Sequence, residues 1–135
     1  MKTYVTDHWQ INVPDEWVYE LEEDAVLFYH PDSNGTLVIS SVLEDEPITD
    51  DYLEDMVAEH LAAGADLYEE TCGDFSGVSC CYDTEDEYWC EWFLYCDSIM
   101  MFVTYNCELP EAGNEDDVID SMLESLSLSH AGILH

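Results

Sequence analysis

YWCEWFLYCDSIMMFVTYNC, residues 88–107, reads as two strands joined by Asp97-Ser98. With a two-residue turn there, Cys90, Trp92, Leu94 and Cys96 share a face with Ile99, Met101 and Val103. Trp89, Glu91, Phe93 and Tyr95 then share the other face with Met100, Phe102, Thr104 and Asn106, because side chains alternate along a strand and register carries the alternation to its neighbour. The first set reads as core. The second is large, aromatic and interrupted by polar groups, so it is either covered by a helix in a three-layer fold or exposed for a partner. We read it as covered, since contiguous exposed apolar patches are uncommon on monomers.

Outward from this hairpin, residues 66–71 and 77–83 extend the pattern, with Glu85-Asp86 breaking it before Tyr88. Such short connections make neighbours antiparallel, which predicts a meander. Further upstream, Trp9, Ile11 and Val13 alternate with Gln10 and Asn12, and Pro14-Asp15-Glu16 turns the chain into an extended Trp17-Val18-Tyr19. Residues 25–29 and 36–43 are β-branched or aromatic runs separated by His30-Pro31-Asp32-Ser33-Asn34-Gly35, a hairpin connection built of turn formers. Thr49 or Asp50 can cap a helix whose Tyr52, Leu53, Met56, Val57 and Leu61 form one apolar stripe, ending before Gly64. Asn114 is the expected cap of a last helix carrying Val118, Ile119, Met122, Leu123 and Leu126, and residues 127–135 read as a flexible tail. The order β-β-β-α-β-β-β-β-α, without internal repeat or long linker, predicts one α+β domain over 1–135: an antiparallel sheet with two main helices packed on it.

The opening of this pattern, Trp9 to Leu43 with its Val13-Pro14-Asp15-Glu16-Trp17 turn, Val26-Leu27-Phe28-Tyr29 and Gly35-Thr36-Leu37-Val38-Ile39-Ser40, resembles that of PsbP-like domains. The helix, meander and second helix continue the likeness over nearly the whole chain. The resemblance implies the PsbP-like fold and a mostly non-enzymatic function, since the family spans photosystem-associated proteins, a Ran-binding protein, bacterial lipoproteins and chaperones of secreted effectors. It carries no functional residue over to this chain.

Composition narrows the partners. The 135 residues hold 33 Asp+Glu against one basic residue, Lys2, for a formal net charge of -32 at pH 7. At 47% hydrophobic and 13% aromatic the chain is too apolar for an acidic disordered tail. With no Arg it has nothing to neutralise phosphate, so nucleic acid, nucleotides and anionic membrane are not expected partners. No acid-free stretch is long enough for a membrane span of ~20 residues. The first ten residues lack an apolar h-region and a small-residue cleavage site, and a lipobox Cys is missing, so a cytoplasmic location is expected. Charge at roughly 225 Å² of surface per unit, from the usual size scaling, suits fast association with a basic protein surface. Its bland counterpart is solubility, or life in salt.

Signals of catalysis are thin. Six cysteines, Cys72, Cys80, Cys81, Cys90, Cys96 and Cys107, fall within the meander without C-x-x-C spacing. They read as small buried apolar residues, free thiols in a reducing compartment, and no zinc, other metal or cofactor is expected. One pairing follows from register: with Glu85-Asp86 as the turn, Cys81 lies opposite Cys90 and can bridge under oxidation. His8, His30, His60, His130 and His135 are dispersed, and a Cys-His dyad would have to be assembled by the fold. Asp83-Thr84-Glu85-Asp86-Glu87 and Glu44-Asp45-Glu46 are rich in oxygen ligands but lack the EF-hand's Gly and distal Glu.

The expected function is therefore a non-catalytic, acidic binding protein of the immunity-protein or effector-adaptor type. Its expected contacts are Asp15, Glu16, Glu20, Glu22, Glu23 and Asp24, then Glu44, Asp45, Glu46, Asp50 and Asp51, with Trp17 and Tyr19 as candidate aromatic anchors; the alternative for Trp17, and the preferred one, is a core residue that closes the turn. The rival reading is an enzyme or small-ligand binder with a pocket between sheet and helix.

Overall fold

The structure, a computed structural model, describes residues 1–129. Strands Lys2–Val5 (β1), Trp9–Val13 (β2), Val18–Leu21 (β3), Val26–Tyr29 (β4) and Thr36–Leu43 (β5) precede helix Asp50–Ala62 (α1). Tyr68–Cys72 (β6), Phe75–Asp83 (β7), Glu87–Cys96 (β8) and Ile99–Glu108 (β9) follow, then helix Asp116–Glu124 (α2) and Ser127–Leu128 (β10). Among the described residues, one antiparallel sheet runs β3-β4-β5-β9-β8-β7-β6 and a smaller one runs β1-β2-β10.

The deciding hairpin pairs Cys96 with Ile99 and Trp92 with Val103, and Asp97 at its tip takes φ 53°, a left-handed conformation that Asp tolerates. Its two faces part as the alternation requires. Cys90, Trp92, Leu94, Met101 and Val103 join Trp9, Ile11 and Val13 of β2 and Ile119, Met122 and Leu123 of α2 in the main core. Phe93 and Met100 face the other way, against Ile48 and Val57 under α1, so the aromatic face is covered in part by a helix. The architecture has three layers: α1, the large sheet, and the small sheet with α2. No helix among the described residues is long and apolar enough to cross a membrane.

Local chemistry sets the element ends. Thr49 caps α1 by accepting from the Tyr52 amide at 3.2 Å, and Gly64 just beyond has φ +84°. Leu61 is 51% exposed, because His60 takes the sheet-facing place on the last turn. The Asn114 cap does not form. Asn114 Nδ2 donates to Glu111 Oε2 at 2.6 Å instead, and α2 starts after Glu115, which makes no side-chain cap.

Three strands, β1, β3 and β10, are added to the expected order, and β3 forms where the chain read only as extended, pairing with β4. β1 pairs with β2, Lys2 opposite Val13, and residues read as the start of a tail form β10, Ser127 opposite Gln10 and Leu128 opposite Trp9. The remainder of that tail, 130–135, lies outside the described residues. A strand of two residues has no period to detect, and its place is set by partners distant in sequence. The Leu128 amide donates to Asp74 Oδ2 at 3.0 Å and the Asp74 amide to Leu126 O at 2.9 Å.

That junction makes a prediction. Gly73, in the β6–β7 turn, has φ +62°, and a Cβ there would run into Leu126 O. Left-handed strain of about 1–2 kcal/mol and overpacking of about 1–3 kcal/mol both act on Gly73→Ala. Denaturant unfolding should find it destabilised by at least about 2 kcal/mol, whereas Gly64→Ala meets no atom within 4 Å and should cost only the conformational part.

Candidate functional site

Antiparallel pairing gathers several acidic segments at one end of the large sheet. Val26 opposes Ile39 and Leu43 opposes Ile99, so the β3–β4 turn, the β5–α1 connection and the Asp97-Ser98 turn share that end. The first is closed by the Glu22 amide donating to Ala25 O at 2.8 Å. The second is tied to the third by two bonds of 2.8 Å, Glu44 N to Ser98 O and Ile48 N to Asp97 O.

A groove of about 680 Å³ opens between the two sheets here. Its rim carries Asp7, Glu22, Glu23 and Asp24, and its floor includes the aromatic Tyr4 and Trp9. Trp9 is fixed by its indole N–H donating to Ser41 Oγ at 3.1 Å. Beside α1 a second hollow of about 410 Å³ is lined by Glu44, Asp45, Glu46 and Tyr52. Burial, then the charge and hydrogen bond of Glu44, push the Tyr52 hydroxyl up. Asp50 and Asp51 lie exposed in the first turn of α1, where the helix dipole favours anions.

The structure divides the first acidic strip. Asp15 and Glu16 sit in the β2–β3 turn, at the opposite end from Glu22–Asp24, since Val18 opposes Tyr29 and Leu21 opposes Val26. Asp15 pairs with the N-terminal amine at 3.3 Å. Glu20 lies between the ends and accepts from the Tyr29 hydroxyl at 2.9 Å, which with burial raises that phenol's pKa. Trp17 is not an exposed anchor. It is 3% exposed and part of the main core, the core residue that closes the turn, where its amide donates to Pro14 O at 3.0 Å. Tyr19 is 49% exposed, its ring edge-on to Tyr4 at 4.9 Å, and stays available.

Between the large sheet and α2 the cavity is about 160 Å³, below the roughly 300–1,000 Å³ of small-molecule sites.

Under α1 lies a cluster that residue spacing does not reveal. Cys80 on β7 opposes Glu91 on β8 in register, and His60 from the last turn of α1 brings Nε2 to 3.2 Å from Glu91 Oε2. One donor atom from each of the three residues lies within 4.8 Å of the others. Glu91 Oε2 is buried and makes no well-aligned hydrogen bond beyond this ionic contact with His60. Burial, then the Glu91 charge, raises the Cys80 thiol, and burial, then the charge and hydrogen bond of Glu91, raises the Tyr82 hydroxyl. A buried thiol held protonated is a poor nucleophile. The register that set Cys81 opposite Cys90 also sets Cys80 opposite Glu91; what sequence lacked was where α1 docks.

Six free thiols were expected, and the structure instead joins Cys81 to Cys90 in a disulfide, with Cα atoms 4.1 Å apart. Direct cross-strand opposition makes that bridge geometrically available. Cys72, Cys80, Cys96 and Cys107 remain thiols. Burial raises each, Cys72 to about 12 with Glu70 and the α2 acids adding to it.

No protein-family model and no curated protein matches the chain. Among solved structures it is similar to cyanobacterial PsbP (CyanoP) from Synechocystis sp. PCC 6803, with a TM-score of 0.66 and 11% identity over 95% of this chain and 92% of that one. It is similar to a protein of Bacteroides thetaiotaomicron VPI-5482, at TM-score 0.67 and 18% identity over 92% of this chain. That alignment covers 46% of the Bacteroides protein, so this chain spans less than half its length. LpqN of Mycobacterium tuberculosis, involved in cell envelope biogenesis, aligns at TM-score 0.61 and 14% identity over 90% of this chain and 83% of its own. At these identities the likeness is one of fold, and the fold of this chain is the PsbP-like α+β fold.

Proposed function

We propose that this protein is a non-catalytic, cytoplasmic binding protein, of the immunity-protein or effector-adaptor type, that takes a basic protein surface. The observation that carries the reading is the groove between the sheets, with carboxylates at the rim and aromatic side chains in the floor. Lys and Arg match such a groove: their methylene stems lie along apolar surface while the charged head reaches an acidic rim. The strip Glu44, Asp45, Glu46, Asp50 and Asp51 at the same end extends the negative field, and a net charge of -32 steers encounter over distance. Asp15 and Glu16, at the far end, contribute through the overall field and not through the groove.

The test starts with a pull-down from native lysate at low salt, repeated at high salt, followed by kinetics on the recovered protein. Neutralising Glu22, Glu23 and Asp24 to Gln, Gln and Asn should slow association about tenfold at low salt and flatten its salt dependence, with a smaller change in dissociation. Neutralising Asp15 and Glu16 should have a lesser effect. If the triple variant changes neither rate at low salt, the groove is not the interface.

A further inference from the structure

We propose that His60, Cys80 and Glu91 form a binding site for a single borderline divalent metal ion, with Zn²⁺ as the ion of matching chemistry. The three side chains supply one imidazole nitrogen, one sulfur and one carboxylate oxygen, all within 4.8 Å of one another. Mixed N, S and O donors suit zinc, whereas Ca²⁺ and Mg²⁺ take oxygen ligands. Donors 2.0–2.3 Å from a tetrahedral ion stand about 3.3–3.8 Å apart. The His60–Glu91 separation of 3.2 Å is already at that spacing, and closing the remainder takes about an ångström of movement.

Two features set this cluster apart from the acidic surface. Cys80 and Glu91 are locked opposite each other on adjacent strands, and the helix delivers His60 over them, so the donors are held by three elements. Glu91 Oε2 is buried, makes no well-aligned hydrogen bond, and has the His60 ring nitrogen at 3.2 Å as its ionic neighbour, an arrangement that a cation shared between the two side chains would satisfy more fully. The Phe93 ring, 5.6 Å from His60, and the Tyr82 ring, 6.4 Å away, wall the cluster with aromatic surface. Such a wall limits water and strengthens metal–ligand attraction. The expectation of a metal-free domain rested on missing C-x-x-C spacing, and these donors come from positions too far apart for any such motif.

The experiment uses the tag-free full chain, reduced and stripped of metal, titrated with Zn²⁺ against a chromophoric chelator in excess Mg²⁺, which occupies surface carboxylates. One Zn²⁺ per chain should bind, and Co²⁺ in its place should give a near-ultraviolet thiolate charge-transfer band. Cys80→Ser should abolish the band. Because even an outer-shell change typically costs 10–100-fold in metal affinity, Cys80→Ser and His60→Asn should each weaken Zn²⁺ about 100-fold. Glu91→Gln separates a metal role from a folding role. Because Gln keeps the shape of the side chain and removes only its charge, the metal-free melting temperature should change little, while Zn²⁺ affinity falls and the zinc-induced rise in melting temperature is lost. The proposal is overturned if the Co²⁺ band does not appear, if Cys80→Ser leaves Zn²⁺ affinity unchanged, or if Glu91→Gln lowers the metal-free melting temperature and keeps the zinc-induced rise.

Discussion

The melting temperature is expected to climb by at least about 10 °C when NaCl is raised from about 10 mM to about 150 mM at neutral pH, a gain of roughly 2.5 kcal/mol at about 4 °C per kcal/mol. The accessible surface is 7891 Å², and with a formal charge of -32 this leaves about 250 Å² per charge, a mean spacing near 16 Å. Across that salt range the Debye length falls from about 30 Å to about 8 Å. It therefore passes from twice the spacing to half of it, and repulsion among many neighbours becomes repulsion among few. Unfolding relaxes the same repulsion by spreading the charges, so screening favours the compact state. A melting temperature flat in salt would show that the acids are too dispersed to oppose folding.

Protons should act in the same direction. Burial first, then the charges of Asp116, Glu70, Glu124 and Asp117, holds the Asp120 carboxyl above its ordinary range. A carboxyl raised in the folded state binds its proton more tightly there than in the unfolded chain. Its contribution is fully present below the unfolded value and is lost as pH rises through the folded one. Stability should thus grow from neutral pH towards about pH 5, and Asp120→Asn should recover part of that gain at neutral pH. The alkaline limb has the same sign. Burial lifts the Cys72 thiol to about 12, and burial with the hydrogen bond to Glu115 lifts the Tyr105 hydroxyl far above the usual phenol range. Their contributions are intact below the unfolded values of about 9 and 10 and disappear above them, so melts from about pH 9 upward should fall steadily.

How much could be read in advance depends on how local each signal was. The hairpin at Asp97-Ser98 was legible because ten-residue strands with strict alternation leave one register that puts Leu94, Met101 and Val103 on the same side. Thr49 was legible as a cap because capping is a property of adjacent residues. β10 was not, because two residues carry no period and their partners Gln10 and Trp9 are more than a hundred positions away. The candidate site divides the same way. Glu22–Asp24 and Glu44–Glu46 stood out as acidic runs, but only the order of the strands brings them to one end and sends Asp15 and Glu16 to the other. His60, Cys80 and Glu91 were invisible as a group: two can be matched by strand register, and the third depends on the docking of α1.

Trp17 is where the two halves of that lesson meet, and Trp17→Ala should have the largest effect of any single substitution considered. The ring follows the Pro14-Asp15-Glu16 turn among acids, which is how a recognition anchor would look in sequence, yet it is 3% exposed within the main core. Its backbone is held on both sides: the amide donates to Pro14 O at 3.0 Å, and the carbonyl accepts from Lys2 Nζ at 2.6 Å. Those bonds keep the turn in place after truncation, so the emptied volume cannot fully collapse. Such a cavity costs about 3–5 kcal/mol. Against a total stability of about 5–15 kcal/mol, already reduced by self-repulsion, this should leave the variant largely unfolded at low salt and folded again once salt screens the acids. Tyr19→Ala is the comparison. Half-exposed, with its ring resting on Tyr4 and Phe28, it should cost about 1 kcal/mol and act mainly on dissociation of a bound partner. Circular dichroism melts across a salt series, beside off-rates for the recovered partner, separate the two residues. A Trp17→Ala protein that melts like the wild type at low salt but releases its partner faster would return Trp17 to the surface and refute its place in the core.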